Sequence, residues 1–340
     1  MARNKEGVRM TPLVTEIPYP FDHYSPWQPP SGMDSYQESL VLSAYPEGSR
    51  VIEANSYRPG TMQYPLRVSV QTLDGEKKVC VLKADPLIGG VEREGRLLPV
   101  LARLGLSVPS VLAGPIVHPD YPNAGALVVL SEMRGKPLPW LDATLTEIDV
   151  TCRLLQEGVA AMHQLTEPIG YEDVAKELPE KTMLSELEGI IHRGGPWLEV
   201  GLFSEAVQRL LPIMAGIRTP LVFSNGDYNP LNFLWDGKSL IGWIDFTGAC
   251  FEDPHIGFAK FMIWAFDSYG WGAGVRGGLV ERYLYARDVS RSDFAPRLAL
   301  RCVWRLQRDT SVAGEKDAFQ REAILGVLGH ALAGLKDNHL

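Results

Sequence analysis

Two acids and an amide stand close together in the segment Asn225-Gly226-Asp227-Tyr228-Asn229-Pro230-Leu231-Asn232-Phe233-Leu234-Trp235 and the segment that follows it, Ile241-Gly242-Trp243-Ile244-Asp245-Phe246. Asp227 and Asn232 are five positions apart, and Asp245 follows Asn232 by thirteen. Phe233, Leu234, Ile241 and Ile244 flank them, which puts the acids at the rim of a buried hairpin. A carboxylate and an amide oxygen aimed at one point suit a hard cation such as Mg²⁺. A second carboxylate nearby can orient a hydroxyl and accept its proton. Taken singly, these residues are equally ordinary Asx-turn formers at hairpin corners. Their combination at this spacing favours chemistry.

A lysine stands at the end of another short element, Val79-Cys80-Val81-Leu82-Lys83, with Asp85-Pro86 after it. A cation at a strand edge can hold phosphate oxygens, although most such lysines are only solvated. His163 ends a long apolar pattern at Ala161-Met162-His163-Gln164-Leu165. There it reads as a supporting core histidine and not as a proton carrier.

These residues must be held by two kinds of structure. Residues 1–33 form an irregular, proline-rich leader. Residues 34–130 read as a strand-rich unit. Its elements are a helix over 34–44 capped by Asp34, strands over 49–55, 66–73 and 77–84, a helix over 91–104 stopped by Gly105, and strands over 110–115 and 126–131. Asp74-Gly75 marks a hairpin turn. Residues 131–135 form a junction, and 136–340 are mostly helical, with helices over 145–165, 184–192, 196–213, 255–264, 278–286, 296–309 and 321–335. Short strands over 221–224, 232–236 and 239–245 interrupt them.

Composition narrows the function classes. The 340 residues allow two domains at roughly 150 residues each. Apolar residues make up 45% and charged residues 22%, ordinary for a soluble globular chain. The formal charge of -8 argues against a nonspecific grip on nucleic acid, which needs clustered cations. No apolar run approaches the ~18 residues of a membrane span, and no secretory signal opens the chain. Cys80, Cys152, Cys250 and Cys302 are scattered without metal or disulfide spacing. A cytoplasmic protein, monomeric or homodimeric, is expected.

The chain resembles the aminoglycoside phosphotransferase and choline kinase family of small-molecule kinases, over roughly Asp34 to the end. The family pattern is His-Gly-Asp-x-x-x-x-Asn, then Ile-Asp-Phe, then Asp-Pro. This chain has Asn225-Gly226-Asp227 through Asn232, Ile244-Asp245-Phe246 and Asp253-Pro254. The resemblance implies an α+β, bilobal, protein-kinase-like fold. A small antiparallel-sheet N-lobe would bind nucleotide, and a larger helical C-lobe would carry the catalytic loop. It implies ATP and Mg²⁺ as cofactors and a small-molecule hydroxyl as phosphate acceptor. Asp227 would be the catalytic base, and Asn232 and Asp245 the metal ligands. Lys83 would hold the α/β-phosphates, oriented by Glu94, with Glu92 as the competing partner. Gly60 and Thr61 would lie in the loop over the nucleotide, and backbone groups of Ser131, Glu132 and Met133 would receive adenine. His163 would support the catalytic loop.

Several features sharpen this reading. Only Thr247 to Glu252 separate Asp245-Phe246 from Asp253-Pro254, too short for the activation segment with which a protein kinase docks a polypeptide. Two positions depart from the family: Asn225 replaces the histidine, and Gly257 replaces an acid three residues after Pro254. The motif Gly272-Ala273-Gly274-Val275-Arg276-Gly277 lies in a helical context and lacks the strand that a dinucleotide fingerprint must follow. No Gly-x-Ser-x-Gly elbow, His-Glu-x-x-His or Walker motif occurs. The alternative is a pseudokinase-like module that holds nucleotide or ligand without transfer, favoured by Asn225 and the single glycine of the loop at Gly60. The acceptor is open among aminoglycosides, amino alcohols and sugars. If the negative charge has a functional part, it is an acidic wall for a cationic acceptor, with Glu252, Asp253 and Asp267 as candidate cleft residues.

Overall fold

The computed structural model describes residues 33–56, 65–85, 89–117, 126–140, 143–263, 277–308 and 318–335. The N-lobe is built on one antiparallel sheet of β1 (Arg50–Ser56), β2 (Leu66–Gln71), β3 (Lys77–Asp85), β4 (Val111–Val117) and β5 (Ala126–Ser131), in the order β1-β2-β3-β5-β4. Strand alternation divides its side chains between two layers. Cys80 and Leu82 of β3, with Leu127 and Val129 of β5, pack under α1 (Ser35–Ser43), through its Leu40 and Val41. Val128 and Leu130 point the other way, toward Leu97, Leu98 and Leu101 of α2 (Gly90–Arg103). Lys83 pairs in register with Val128 and so shares the α2 face. The two-residue period of β3 therefore aims this cation at the helix that carries Glu94.

Local signals act as expected here. Asp34 caps α1 by accepting from Gln37 N at 2.8 Å, and Gln37 Oε1 accepts from Asp34 N at 2.9 Å. Gly75 takes a positive φ of 85° between β2 and β3.

The C-lobe opens with β6 (Lys136–Pro137) and α3 (Leu145–Gln164), which Thr144 and Glu147 cap reciprocally. After α4 (Thr166–Gly170) and β7 (Glu180–Lys181) come α5 (Met183–Arg193) and α6 (Gly201–Gly216). Four short strands follow: β8 (Val222–Ser224), β9 (Phe233–Trp235), β10 (Leu240–Trp243) and β11 (Cys250–Glu252). They form two small sheets, β10-β9-β6 and β7-β11-β8. The chain continues through α7 (Ile256–Ile263), α8 (Leu279–Ala286), α9 (Arg291–Arg308) and α10 (Ala318–Ala333). Leu210 and Met214 of α6 join Ala299, Leu300, Val303 and Leu306 of α9 and Leu328 of α10 in a helical core.

The helix expected over 196–213 is two elements, a 3-10 turn at Pro196–Glu199 and α6 after Val200 turns extended. α9 begins before the expected Pro296, because Ser290 accepts from Asp293 N at 3.1 Å and starts the helix there. The cysteines are free and buried. Among the described residues, no helix is long and apolar enough to cross a membrane.

Candidate active site

The loop between β8 and β9 is shaped by its own short-range bonds. Gly226 has φ of 76°, and a Cβ there would lie 2.1 Å from the carbonyl oxygen of Gly248. Only glycine lets the loop press against that strand connection. Asn225 brackets Asp227: its Nδ2 donates to Asp227 O at 3.0 Å, and its Oδ1 accepts from Asp227 N at 3.2 Å. The amide thus supplies both a donor and an acceptor where the family has histidine. Asn229 Oδ1 accepts from Leu231 N at 3.0 Å and caps the 3-10 turn Pro230–Asn232. That turn swings Asn232 back onto Asp227, where Nδ2 donates to the backbone oxygen at 3.1 Å and faces Oδ2 at 3.4 Å.

A second group joins the lobes. Lys83 Nζ lies 2.8 Å from Glu94 Oε2 and 2.7 Å from Asp245 Oδ1. Glu94 Oε1 also accepts from Phe246 N at 2.7 Å, so α2 grips the backbone beside Asp245. Glu92 is spent on Arg96 at the surface, which settles the choice between the two glutamates. Asp245 takes a positive φ of 63°, and its Oδ1 also accepts from Thr247 Oγ1 at 2.7 Å. Burial alone would lower the Lys83 ammonium, but Asp245 and Glu94 outweigh it and hold it above the usual lysine range. Burial would raise Asp245, but Lys83 and Thr247 hold it below the usual carboxylate range. In Glu94 burial wins, and its carboxyl is pushed up.

Ile244 N donates to Asn232 O at 2.9 Å, which sets Asn232 beside the residue preceding Asp245. Asn232 donates through its nitrogen to Asp227, and the bonds from Lys83 Nζ and Thr247 Oγ1 to Asp245 both fall on Oδ1. Among the described residues, Asn232 Oδ1 and Asp245 Oδ2 accept no side-chain hydrogen bond. These are hard donors, too few for a closed protein cage but suited to Mg²⁺ that takes its other ligands from phosphates and water. Among the described residues, no group of three His, Cys, Asp or Glu side chains gathers into another metal site.

The site also contains one residue the sequence did not single out, Lys260. Lys260 on α7 forms an ion pair with Asp227 Oδ1. Its side chain is 1% exposed, and burial lowers its pKa despite Asp227 beside it. The short apolar run around it, Ile256-Gly257-Phe258-Ala259-Lys260-Phe261, gave the only available signal: a lone charge on a buried helix. His163 Nε2 lies 2.9 Å from the hydroxyl of Tyr228, itself fully buried in the loop between β8 and β9. Burial pushes this imidazole down to about 4, so it stays neutral at ordinary pH.

Two of the expected cleft acids, Asp253 and Glu252, are buried. Asp253 forms a buried two-pronged pair with Arg297, at 2.9 and 2.6 Å, and accepts from His255 N at 2.9 Å. It ties β11 to α9 instead of facing a cleft. Glu252 is buried at the end of β11, near Lys181 and Ser224. Ser131 N donates to Ser110 O at 2.8 Å, and its Oγ accepts from Ser110 N at 2.9 Å. Glu132 pairs with Arg67 at 2.6 Å, and Met133 reaches over Gly242. Gly60, Thr61, Asp267 and residues 272–276 of the glycine-rich motif lie outside the described residues.

The family model described as "Phosphotransferase enzyme family" matches residues 64–297, more than half of the chain. Solved structures agree in fold. One is a thermostable mutant of the aminoglycoside phosphotransferase APH(4)-Ia in ternary complex with AMP-PNP and hygromycin B. It has a TM-score of 0.60 and 14% identity, covering 90% of this chain and 100% of that one. LicA in complex with AMP has a TM-score of 0.57 and 14% identity, covering 86% and 97%. A putative aminoglycoside phosphotransferase from Ralstonia eutropha has a TM-score of 0.55 and 16% identity, covering 89% and 97%. No curated protein sequence matches the chain. With its five-stranded N-lobe sheet, helical C-lobe and family match, this chain belongs to the phosphotransferase enzyme family.

Proposed function

We propose that the protein moves the γ-phosphoryl group of ATP to a hydroxyl of a small molecule, with Asp227 as the base. The observation that carries this reading is the convergence of Lys83, Glu94 and Asp245 beside the Asn232–Asp227 pair. Lys83, held by Glu94, would bind the α/β-phosphates. Adenine would be received at the end of β5. Because the Ser131 N–H is turned to Ser110, recognition there falls to the backbone of Glu132 and Met133. Asn232 and Asp245 would hold Mg²⁺, which when bound neutralises phosphate charge.

Asp227 would orient the acceptor hydroxyl through the oxygen facing Asn232. The acceptor oxygen forms a bond to the γ-phosphorus as the bond to the β-bridging oxygen breaks. The hydroxyl proton passes to Asp227, and ADP leaves. Most of the acceleration comes from placing these groups and from fixed charge. AMP-PNP and AMP in the structures of fold relatives support a nucleotide donor.

The test is a screen of hydroxyl compounds with Mg-ATP, read as ADP formation and as acceptor mass gain. Asp227-dependent transfer to at least one acceptor is expected. Nucleotide binding without transfer to any acceptor would favour a binding module instead.

A further inference from the structure

Helix α7 presses on the β8–β9 loop at two points of one face. Gly257 receives the ring of Tyr228. Lys260, nearly one turn later, forms the ion pair with Oδ1 of Asp227. Tyr228 also meets Phe258 of α7, with ring centres 5.5 Å apart. Neighbouring residues of the loop thus rest on neighbouring turns of the helix. The Lys260 ammonium lies 5.4 Å from the ring centre of Phe261, and Asp227, Glu252 and Arg301 act on its charge.

The two partners differ in exposure. The Lys260 side chain is 1% exposed and that of Asp227 is 41% exposed. The cation therefore stands on the protein side of the carboxylate and leaves the open side of Asp227 clear. The main chain of Asp227 is fixed without Lys260, since Asn225 bonds its N and O and Asn232 bonds its O. Its carboxylate is another matter. Among the described residues it is held by Lys260 on Oδ1 and by a longer contact from Asn232 Nδ2 to Oδ2, at 3.4 Å. A carboxylate turns about a soft torsion, so the aim of its second oxygen depends on what grips the first. A buried ammonium is costly, and an apolar side chain of similar length would fill the same space without that cost. Stability alone does not account for a lysine here.

We propose that Lys260 is a positioning residue for phosphoryl transfer: by engaging Oδ1 of Asp227 it aims Oδ2 at the acceptor hydroxyl and offsets the carboxylate charge that the γ-phosphate would meet. The inference rests on Asp227 acting as the base. The hydroxyl oxygen bonds to the γ-phosphorus as the bond to the β-bridging oxygen breaks. The hydroxyl proton passes to Oδ2, and Lys260 keeps its own protons throughout. Phosphoryl transfer depends almost wholly on positioning and fixed charge, so a cation on Oδ1 is compatible with a base at Oδ2.

ADP formation from Mg-ATP by the full-length protein is measured with water as the acceptor and with each hydroxyl compound that takes phosphate, beside melting temperature and Mg-AMP-PNP affinity. In Lys260→Met, kcat is expected to fall by about 10- to 100-fold, the scale of a misplaced reacting group. KM for ATP and AMP-PNP affinity should stay within about twofold, and the melting temperature should be equal or higher. In Lys260→Ala, propylamine, which replaces the missing atoms, should restore part of kcat. Propionamide, neutral and of similar size, should not. Wild-type turnover in folded Lys260→Met overturns the proposal. So does a loss of turnover that travels with a lower melting temperature and weaker AMP-PNP binding and that propylamine does not restore, which would make Lys260 structural only. If Lys260→Met fails to fold, the propylamine comparison in Lys260→Ala decides. Asp227→Asn in the same assays separates the two readings. If the wild type turns over no faster than Asp227→Asn, transfer at Asp227 fails and this inference falls with it. If Asp227 is required and Lys260 is not, this inference alone falls.

Discussion

Gly257 on α7 leaves room for the ring of Tyr228: a Cβ at Gly257 would stand 2.3 Å from Tyr228 Cε2. This contact leaves no room for a side chain at position 257. The phenol is buried, fills the space, and ties the β8–β9 loop to His163. Alanine at a helical glycine ordinarily stabilises by about 1 kcal/mol. Here Gly257→Ala is expected to destabilise by about 1–3 kcal/mol through overpacking. In a Tyr228→Leu background the cost should vanish. Denaturant unfolding of the four proteins of that cycle measures the coupling; additive effects would contradict it.

The neutral His163 predicts an acid-sensitive loop. Its pKa falls from an ordinary 6.5 to about 4 in the folded protein. The unfolded chain therefore binds the proton first as pH drops. Stability from this group is complete above 6.5 and is lost as pH falls toward 4, by up to about 3 kcal/mol. The melting temperature of His163→Gln should fall less steeply over that window than that of the wild type. Parallel curves would rule out this role.

Two members of the Lys83 bridge contribute stability across neutral pH. Asp245 is held low, so its contribution is present above its ordinary 3.8 and fades as acid protonates it. Lys83 is held high, so its contribution is present below 10.5 and fades only in strong alkali. Lys83→Met removes the cation that holds Asp245 down. The acid midpoint for nucleotide binding should then move to higher pH, and turnover should fall by about 100-fold or more. Binding titrations across pH check both.

The Asp253–Arg297 pair predicts a purely structural defect. Arg297→Ala leaves a buried carboxylate uncompensated and should cost about 3–5 kcal/mol. Mg-AMP-PNP affinity of the folded fraction at low temperature should be unchanged. A direct effect on the nucleotide would return Asp253 to the cleft.

Much of this architecture is legible in local sequence. The strand over 126–131 lies where periodicity puts it, as does the Asp74-Gly75 turn, because each is set by neighbouring residues. The partnership of Lys83 with Glu94 was implied by the family resemblance and not by local spacing; in the fold, β3 aims Lys83 at the helix that carries Glu94. Lys260 was not legible, since its contact with Asp227 is created by the packing of α7 under the loop and not by spacing. Asp253 misled for the converse reason. An acid in an Asp-Pro turn looks exposed until Arg297, 44 residues later, is folded over it.

The central claim is that Asp227 is the base for phosphoryl transfer. It is tested most directly by ADP formation from Mg-ATP in the presence of the acceptor that the screen yields, compared between wild type and Asp227→Asn. The account predicts a fall of about 100- to 10,000-fold in turnover, the range of a lost general base, with Mg-AMP-PNP affinity retained. Turnover near the wild-type rate in a variant that still binds nucleotide would contradict it.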